Sequence, residues 1–248
     1  MGKPDILVLV EGEVTDVELM ERLFEIYGIS EQHHIMYYGT SIYMLYDSIH
    51  DQMYRDVDGE PMLDIALYLR ERETNPQKKA DLSRRFSRIL LIFDLDPGAR
   101  DFSDEIIQNM TDYFNDVFGA GQLYINYPMV ESFYHAKEIP DPDYFNYITP
   151  LVQLRAAKKR NRYKARVGRE SCIHDRRAFF TDKAACNAII RQNLEKAWFM
   201  VEGAAELLPP SQAAILQSQL DKLSATACIA VLCTCIFYIL DYNPQLIL

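Results

Sequence analysis

The stretch DILVLVEGEVTDVELMERLF, residues 5–24, decides the fold class of this 248-residue chain. Its first six residues are a nearly continuous apolar run rich in β-branched side chains, which is typical of a strand buried on both faces of a parallel sheet. An acidic turn follows, and Thr15 with Glu18 three positions later has the pattern of a capping box. The stretch therefore predicts a strand, a tight turn and an amphipathic helix in immediate succession.

The alternation of strand and helix patterns continues to about residue 126. Further strands are expected at 33–38, 88–93 and 122–126. Helices are expected at 41–55, 61–73 and 103–118, with a loop at 74–80. Strands alternating with helices in this way predict an α/β fold with a mainly parallel sheet flanked by helices.

The last hundred residues have a different pattern. No strand is expected after Pro150, and helices are predicted at 182–207 and 211–240. We therefore divide the chain into an α/β domain at 1–150 and a helical region at 151–248. The apolar run 225–240 is shorter than the roughly 20 residues that a bilayer span needs, so we expect no membrane segment. A C-terminal helix that is apolar all round must be covered, either by this chain or by a partner.

The charge is unevenly distributed along the chain. The formal net charge is −10, but residues 1–150 hold 12 Lys/Arg against 28 Asp/Glu, whereas residues 151–248 hold 14 against 8. Such asymmetry indicates a polyanionic partner or self-assembly. The five cysteines include no CxxC pair, which argues against a zinc ribbon or a disulfide framework, and the N-terminus does not resemble a secretory signal. We expect a cytoplasmic protein.

Acidic side chains follow three of the predicted strands, where the carboxyl ends of parallel strands share one edge of the sheet. Carboxylates held close together repel one another unless a cation lies between them, and Mg²⁺ or Mn²⁺ prefers such oxygen ligands. We predict a metal site in which Asp94 and Asp96 point the same way and Leu95 faces the core. For each motif taken singly, the alternative is a set of solvated carboxylates. The predicted metal ligands are Glu11, Asp16, Asp94, Asp96 and Glu131.

Two of these motifs resemble those of the Toprim domain, an α/β fold that binds Mg²⁺. They are VEGEVTD at 10–16 and FDLDPG at 93–98, and the resemblance covers about residues 5–135 with a longer insert at about 40–85. It implies that Glu11 is the family's glutamate and that Asp94 and Asp96 are its acidic pair, with Asp16 as an accompanying aspartate. The segment YPMVESFY, 127–134, is similar to one in OLD-family and related phage-defence Toprim proteins, which implies that Glu131 lies near the metal.

This sequence lacks several modules of other Toprim proteins, and their absence narrows the functions that the resemblance implies. The chain has no zinc-binding module, no separate tyrosine domain of topoisomerase size and no Walker A motif. A small Toprim protein with a helical tail is most similar to nuclease effectors, such as the Toprim subunit of PARIS-type defence systems. The resemblance therefore implies an anti-phage effector that forms a homodimer or a complex with a separate ATPase or sensor protein.

The predicted reaction is metal-assisted hydrolysis of phosphodiester bonds in DNA or RNA, with tRNA among the candidates. Glu11, Asp94, Asp96 and Glu131 would be its catalytic residues, with His135 as proton donor; the alternative for His135 is an ordinary surface or hydrogen-bonded histidine. A basic segment would bind phosphates without reading sequence, with Tyr163 stacking on a base. Its alternative is a solvated basic helix that pairs with the acidic half of its own or another copy of the chain. The segment comprises Arg155, Lys158, Lys159, Arg160, Arg162, Tyr163, Lys164, Arg166 and Arg169.

Two other functions fit parts of the sequence. The first is a non-catalytic Toprim-like interaction module that docks into a partner assembly through the C-terminal helix. The second is a nucleotidyl or phosphoryl transferase acting on small substrates, which the same acids would support. The absence of a glycine-rich phosphate loop disfavours this transferase.

Overall fold

Four parallel strands form the centre of the protein in a computed structural model that describes residues 5–53, 56–57, 60–61, 63–116 and 120–247. The central sheet has the order β2-β1-β5-β7-β6, in which only the edge strand β6 runs antiparallel to its neighbour. Two short ladders, β3-β4 and β8-β9, lie outside it. The strands are β1 (Asp5–Val10), β2 (His33–Tyr37), β3 (Asp56–Val57), β4 (Glu60–Pro61), β5 (Phe86–Asp94), β6 (Asn115–Asp116), β7 (Gly121–Asn126), β8 (Ile148–Pro150) and β9 (Cys228–Ala230).

Helices flank this sheet, so the predicted α/β class with a mainly parallel sheet is confirmed. The helices are α1 (Thr15–Ile26), α2 (Ile42–Met53), α3 (Ile65–Arg72), α4 (Pro76–Asp81), α5 (Asp104–Tyr113), α6 (Leu151–Leu154), α7 (Tyr163–Glu170), α8 (Arg176–Phe179), α9 (Lys183–Met200), α10 (Gln212–Thr226) and α11 (Tyr238–Tyr242). No described helix has both the length and the apolarity needed to cross a bilayer.

The helix ends show where local sequence determined structure. Ser103 caps α5, because its side chain accepts the Ile106 N–H at 3.3 Å. The predicted capping box at α1 is wrong: Val14 is the N-cap residue and makes no side-chain cap bond. The loop expected at 74–80 contains α4, whose first turn is capped by the Asn75 side chain.

The segment before β5 also contains a shorter helix than predicted. The expected helix at 61–73 begins only at Ile65, where the Asp64 carboxylate accepts the Leu67 N–H at 2.9 Å. Pro61 pairs in the β3-β4 ladder instead. The predicted helix at 41–55 is observed as α2, with residues 54 and 55 outside the described part of the chain.

The C-terminal apolar run contradicts the prediction most clearly. The helix expected at 211–240 ends at Thr226, and Ala227 adopts a left-handed conformation with φ +53°. The chain then forms β9, which pairs antiparallel with β8. The buried Gln219 side chain bonds both backbone groups of Ala230 at 2.9 Å, so it satisfies polar groups that a continued helix would have satisfied itself.

The residues after β9 are covered by the chain's own sheet. Leu232 and Tyr127 exchange two backbone hydrogen bonds at the end of β7. The Asn126 side-chain oxygen accepts the N–H groups of Thr234 and Cys235. Residues 229–240 are buried throughout. Of the two ways in which the apolar run could be covered, burial by this chain is the one observed, because residues 229–240 complete the protein's own core.

That core joins both ends of the chain. Val8, Leu9, Leu91 and Ile92 in the central strands are fully buried and belong to the same hydrophobic cluster as Ile236. Helix α10 packs against α5 and β7. The C-terminal region thus supports the sheet from which the acidic side chains project.

Candidate active site at the carboxyl edge of the sheet

Glu11 and Asp94 meet at the carboxyl ends of β1 and β5. The Glu11 N–H continues the ladder by donating to the Ile92 carbonyl oxygen at 3.1 Å. The Glu11 carboxylate accepts the backbone N–H of Asp94, also at 3.1 Å. The parallel register thus brings these two acids together, as expected for strand ends that share an edge.

Glu131 joins the same edge through the turn that follows β7. The Asp94 side chain accepts the Val130 N–H at 2.9 Å, which fixes the start of the 3-10 turn Val130–Tyr134. Glu131 is the next residue, and it is only 3% exposed. One carboxylate therefore positions the backbone that carries another.

Asp16 is brought to the edge by the first turn of α1. It is 5% exposed, and among the described residues its Oδ1 atom has no hydrogen-bond partner. Gly12 makes this approach feasible, because a Cβ atom at that position would lie 2.6 Å from Asp16 Oδ2. A buried carboxylate oxygen without a partner is costly, which indicates a site that an additional ligand would complete.

The electrostatics of these acids reflect burial and mutual repulsion. Burial, together with the charges of Asp16, Asp96 and Asp101, raises the pKa of Glu11 to about 7. Burial and the Glu131 charge raise the pKa of Asp16 to about 6. The pKa of Asp94 lies well above its ordinary value, because the carboxyl is buried and Glu11 lies beside it. Cation binding between such groups would relieve this repulsion.

Asp96 departs from the predicted geometry. It lies beyond β5 with φ +33°, a left-handed conformation that is uncommon for a residue other than glycine. Its N–H donates to the Pro128 carbonyl oxygen at 3.1 Å, while Leu95 is buried as predicted. The alternation of an extended strand therefore stops at Asp94, so the prediction that Asp94 and Asp96 point the same way does not follow from the backbone.

Asp101 is a neighbour that the sequence analysis missed. Burial raises the pKa of Asp96, with the negative charge of Asp101 adding to the shift and the Arg162 guanidinium opposing it. Asp101 accepts a hydrogen bond from Ser41 at 3.0 Å. The available sequence signal for Asp101 was its position five residues after the DxD motif. No known motif spacing links that position to a metal site.

The donor set fits a divalent cation in chemistry, although its members are not gathered into a cage. Carboxylate oxygens are the ligands that Mg²⁺ and Mn²⁺ prefer, and the unpartnered Asp16 oxygen supplies a free lone pair. Across the described ranges, however, no three His, Cys, Asp or Glu side chains converge closely enough to hold an ion. Glu11, Asp94 and Asp16 are the residues that would hold it, after side-chain adjustment.

The basic segment lies against this edge. Helix α7 follows a 3-10 turn, Lys159–Asn161, and Lys164 in its first turn forms an ion pair with Glu131. The arginines nearby are partly committed to protein oxygens: Arg162 donates to Ala156 and Arg169 to Arg160, each at 2.9 Å. The side chains of the segment that the structure leaves exposed are Arg155, Lys158, Lys159, Arg160, Arg162, Lys164 and Arg169.

His135 and Tyr163 occupy a buried network instead of the surface. Neither is exposed to solvent, and the Tyr163 hydroxyl lies 3.1 Å from His135 Nδ1. Glu170 lies 3.1 Å from the other ring nitrogen and is also bound by Arg166. Burial lowers the pKa of His135 even though Glu170 opposes the shift. Tyr163 therefore cannot stack on a base as predicted, and His135 fits its alternative, a hydrogen-bonded histidine that braces α7.

Comparison with known proteins adds no further assignment. No protein-family model, no curated protein and no solved structure matches the chain.

Proposed function

We propose that the acidic edge supports metal-dependent hydrolysis of phosphodiester bonds in DNA or RNA. The observation that carries this proposal is the cluster of Glu11, Asp16, Asp94 and Glu131, with raised pKa values at the first three, directly beside an exposed basic segment. The cluster suits a divalent cation, and the basic segment suits a phosphate backbone. The short motifs that resemble the Toprim domain, which contain the same acids, favour the same reaction.

Different residues of the chain would bind the metal ion and the nucleic acid. When bound, Mg²⁺ or Mn²⁺ supplies Lewis acidity toward a phosphate oxygen and acidifies a bound water. Glu11 and Asp94 would hold the ion at the strand ends, while Asp16 contributes its free oxygen. The exposed lysines and arginines would hold the backbone of the nucleic acid through contacts that do not depend on sequence.

The biological setting is a proposal that rests on the resemblance alone. An effector of anti-phage defence needs its cleavage held off until infection, which is the role proposed for a separate ATPase or sensor partner. The alternative of a non-catalytic module has lost its proposed docking element, because residues 229–240 are buried in the chain's own fold.

The decisive test is Mg²⁺- or Mn²⁺-dependent cleavage of a mixed pool of plasmid DNA, single-stranded DNA and bulk tRNA. We expect Glu11→Gln and Asp94→Asn to lower the rate by at least about 10²-fold, because each would remove a charged ligand of the ion. Glu21→Gln is the matched control: Glu21 is an exposed acid on α1 away from the edge, and its loss should leave the rate unchanged.

Circular dichroism on each variant separates lost chemistry from lost folding. Equal metal-dependent cleavage by wild type and both site variants would refute the proposal. A small-substrate transferase would be indifferent to Lys158→Gln with Lys159→Gln, whereas a nuclease should bind its polymer more weakly, and with a lower salt dependence, in that double variant.

A further inference from the structure

The ion pair between Lys164 and Glu131 joins an exposed, flexible lysine to a buried glutamate. The Lys164 side chain is 65% exposed, whereas that of Glu131 is 4% exposed at the inner end of the pair. Lysine carries its charge on a flexible four-carbon stem, so the ammonium can leave without disturbing α7. Glu131 has no such freedom, because the Asp94 side chain holds the backbone of its turn through the Val130 N–H.

Lys164 also acts on Asp16, a second acid of the cluster. The ammonium charge lowers the pKa of Asp16, against the larger raising effects of burial and of Glu131. The Asp16 Oδ1 atom nevertheless has no hydrogen-bond partner among the described residues. One monovalent charge thus serves two buried carboxylates, and it leaves at least one of their oxygens without a hydrogen-bond partner.

We propose that Lys164 is a latch: its ammonium occupies the place at Glu131 that a divalent cation would take, and a substrate phosphate withdraws it. This inference rests on the proposed function. It also accounts for the absence, among the described side chains, of three ligands gathered around one point. Until a nucleic acid binds, Glu131 is paired with the Lys164 ammonium instead of with a divalent cation.

The latch makes cation binding and phosphate binding help each other. A phosphate oxygen near α7 offers Lys164 an anion to bind in place of Glu131. Glu131 can then join Asp16 and the two strand-end acids as a ligand of the divalent ion, whose double charge neutralises these carboxylates better than one ammonium does. By thermodynamic reciprocity, each of the two ligands must raise the affinity for the other by the same factor.

A double-mutant cycle tests the competition at equilibrium without using activity. Mn²⁺ affinity is measured by isothermal titration calorimetry for wild type, Lys164→Met, Glu131→Gln and the double variant. We expect Lys164→Met to tighten Mn²⁺ binding about tenfold when Glu131 is present and by less than about twofold in the Glu131→Gln background. Lys159→Met, an exposed lysine of the same segment, is the control for a general change of charge and should shift the affinity by less than about twofold.

A second measurement tests the withdrawal. A phosphorothioate single-stranded oligonucleotide, which resists hydrolysis, should tighten Mn²⁺ binding about tenfold in wild type and have little effect in Lys164→Met. Circular dichroism confirms folding, and Lys164→Gln serves as a second removal of the charge. If Glu131→Gln fails to fold, the comparison of wild type with the two Lys164 variants still decides the question.

The outcomes separate the latch from the proposed function. Mn²⁺ binding that Glu11→Gln abolishes but that Lys164→Met leaves unchanged would overturn the latch and leave the metal site standing. An equal tightening in Lys164→Met and Lys159→Met would also overturn it, because only the net charge would matter. Absence of Mn²⁺ binding in wild type and in both Lys164 variants would overturn the metal site and the latch together.

Discussion

At the residue scale, the raised pKa of Glu11 makes the stability of the fold depend on pH. The pKa of Glu11 is raised from 4.5 to about 7, chiefly by burial. Between these two values the folded protein keeps a proton that the unfolded chain releases, so the folded state binds more protons. Without divalent cations, stability should therefore be greatest near the lower end of this window and fall as the pH rises toward 7.

The Glu11→Gln substitution should reverse that loss. The amide stays neutral and keeps an oxygen that can accept the Asp94 N–H, so the repulsion disappears while the hydrogen bond remains. We expect the Tm at pH 7.5 in EDTA to rise by about 2–4 °C and the decline between pH 5 and pH 7.5 to flatten. Thermal unfolding followed by circular dichroism across that pH range measures both effects.

The wild type in millimolar Mn²⁺ is the companion measurement. Bound cations should stabilise it, while Glu11→Gln should gain little. A variant that is less stable than wild type at every pH would show that Glu11 is a structural acid and not a strained ligand.

Tyr163→Phe separates a buried brace from a base-stacking residue. The substitution removes the hydroxyl that lies 3.1 Å from His135 Nδ1 and leaves that buried nitrogen unpaired. We expect a loss of about 1–3 kcal/mol in the free energy of unfolding, measured with urea, and cleavage within about twofold of wild type. Unchanged stability with a tenfold loss of single-stranded DNA binding would instead restore the stacking role.

The sequence predicted the acids themselves better than their arrangement. Glu11 and Asp94 could be placed because both follow buried strands of one parallel sheet. Asp96 could not, since its left-handed backbone depends on a hydrogen bond to Pro128, which lies 32 residues further along the chain. Tyr163 was misjudged for a related reason: a tyrosine among arginines is recognised as a buried group only once its partner His135 is in place.

At the element scale, the patterns that were predicted well are those with a local cause. The strands β1, β5 and β7 are short apolar runs, and the start of α5 is set by Ser103 next to it. The apolar run at 225–240 misled because a continuous hydrophobic stretch does not distinguish a buried strand from a buried helix. Helix α10 ends at Ala227, which is left-handed. Glycine or asparagine at that position would have predicted the end of the helix from sequence, whereas alanine does not.

Gln219 is the side chain that holds this C-terminal element in its observed form. Gln219→Ala removes both hydrogen bonds to Ala230 and leaves two buried backbone groups unpaired. We expect a loss of about 2–4 kcal/mol in the free energy of unfolding by urea titration. Gln217→Ala, at an exposed position on the same helix, should cost less than about 0.5 kcal/mol. Similar effects of the two substitutions would contradict the assigned role of β9.

At the scale of the whole molecule, the uneven charge of the sequence acquires a structural meaning. The acidic and basic parts of the chain meet at one edge of the sheet, through Lys164 with Glu131 and through the field of Arg162 at Asp96. The alternative in which the basic segment pairs with the acidic half is thus realised in part, by one lysine. The neighbouring Lys158, Lys159 and Arg160 stay exposed and remain the candidates for binding phosphate.

The order of the sheet could not be predicted from periodicity. Pairing between β1 and β5 spans about 80 residues, and the closure of the core by residues 229–240 spans the whole chain. Such contacts are set by which faces bury one another, and that depends on every element at once. The sequence indicates the α/β class, whereas the placement of the acids around the edge needed the three-dimensional structure.

The central claim is that a divalent cation binds at this edge, and anomalous scattering from crystals soaked in Mn²⁺ tests it most directly. Our account predicts an anomalous peak about 2.1–2.6 Å from carboxylate oxygens of both Glu11 and Asp94, absent from Glu11→Gln crystals treated identically. No peak at the edge at millimolar Mn²⁺, or a peak only at acids elsewhere on the surface, would contradict it.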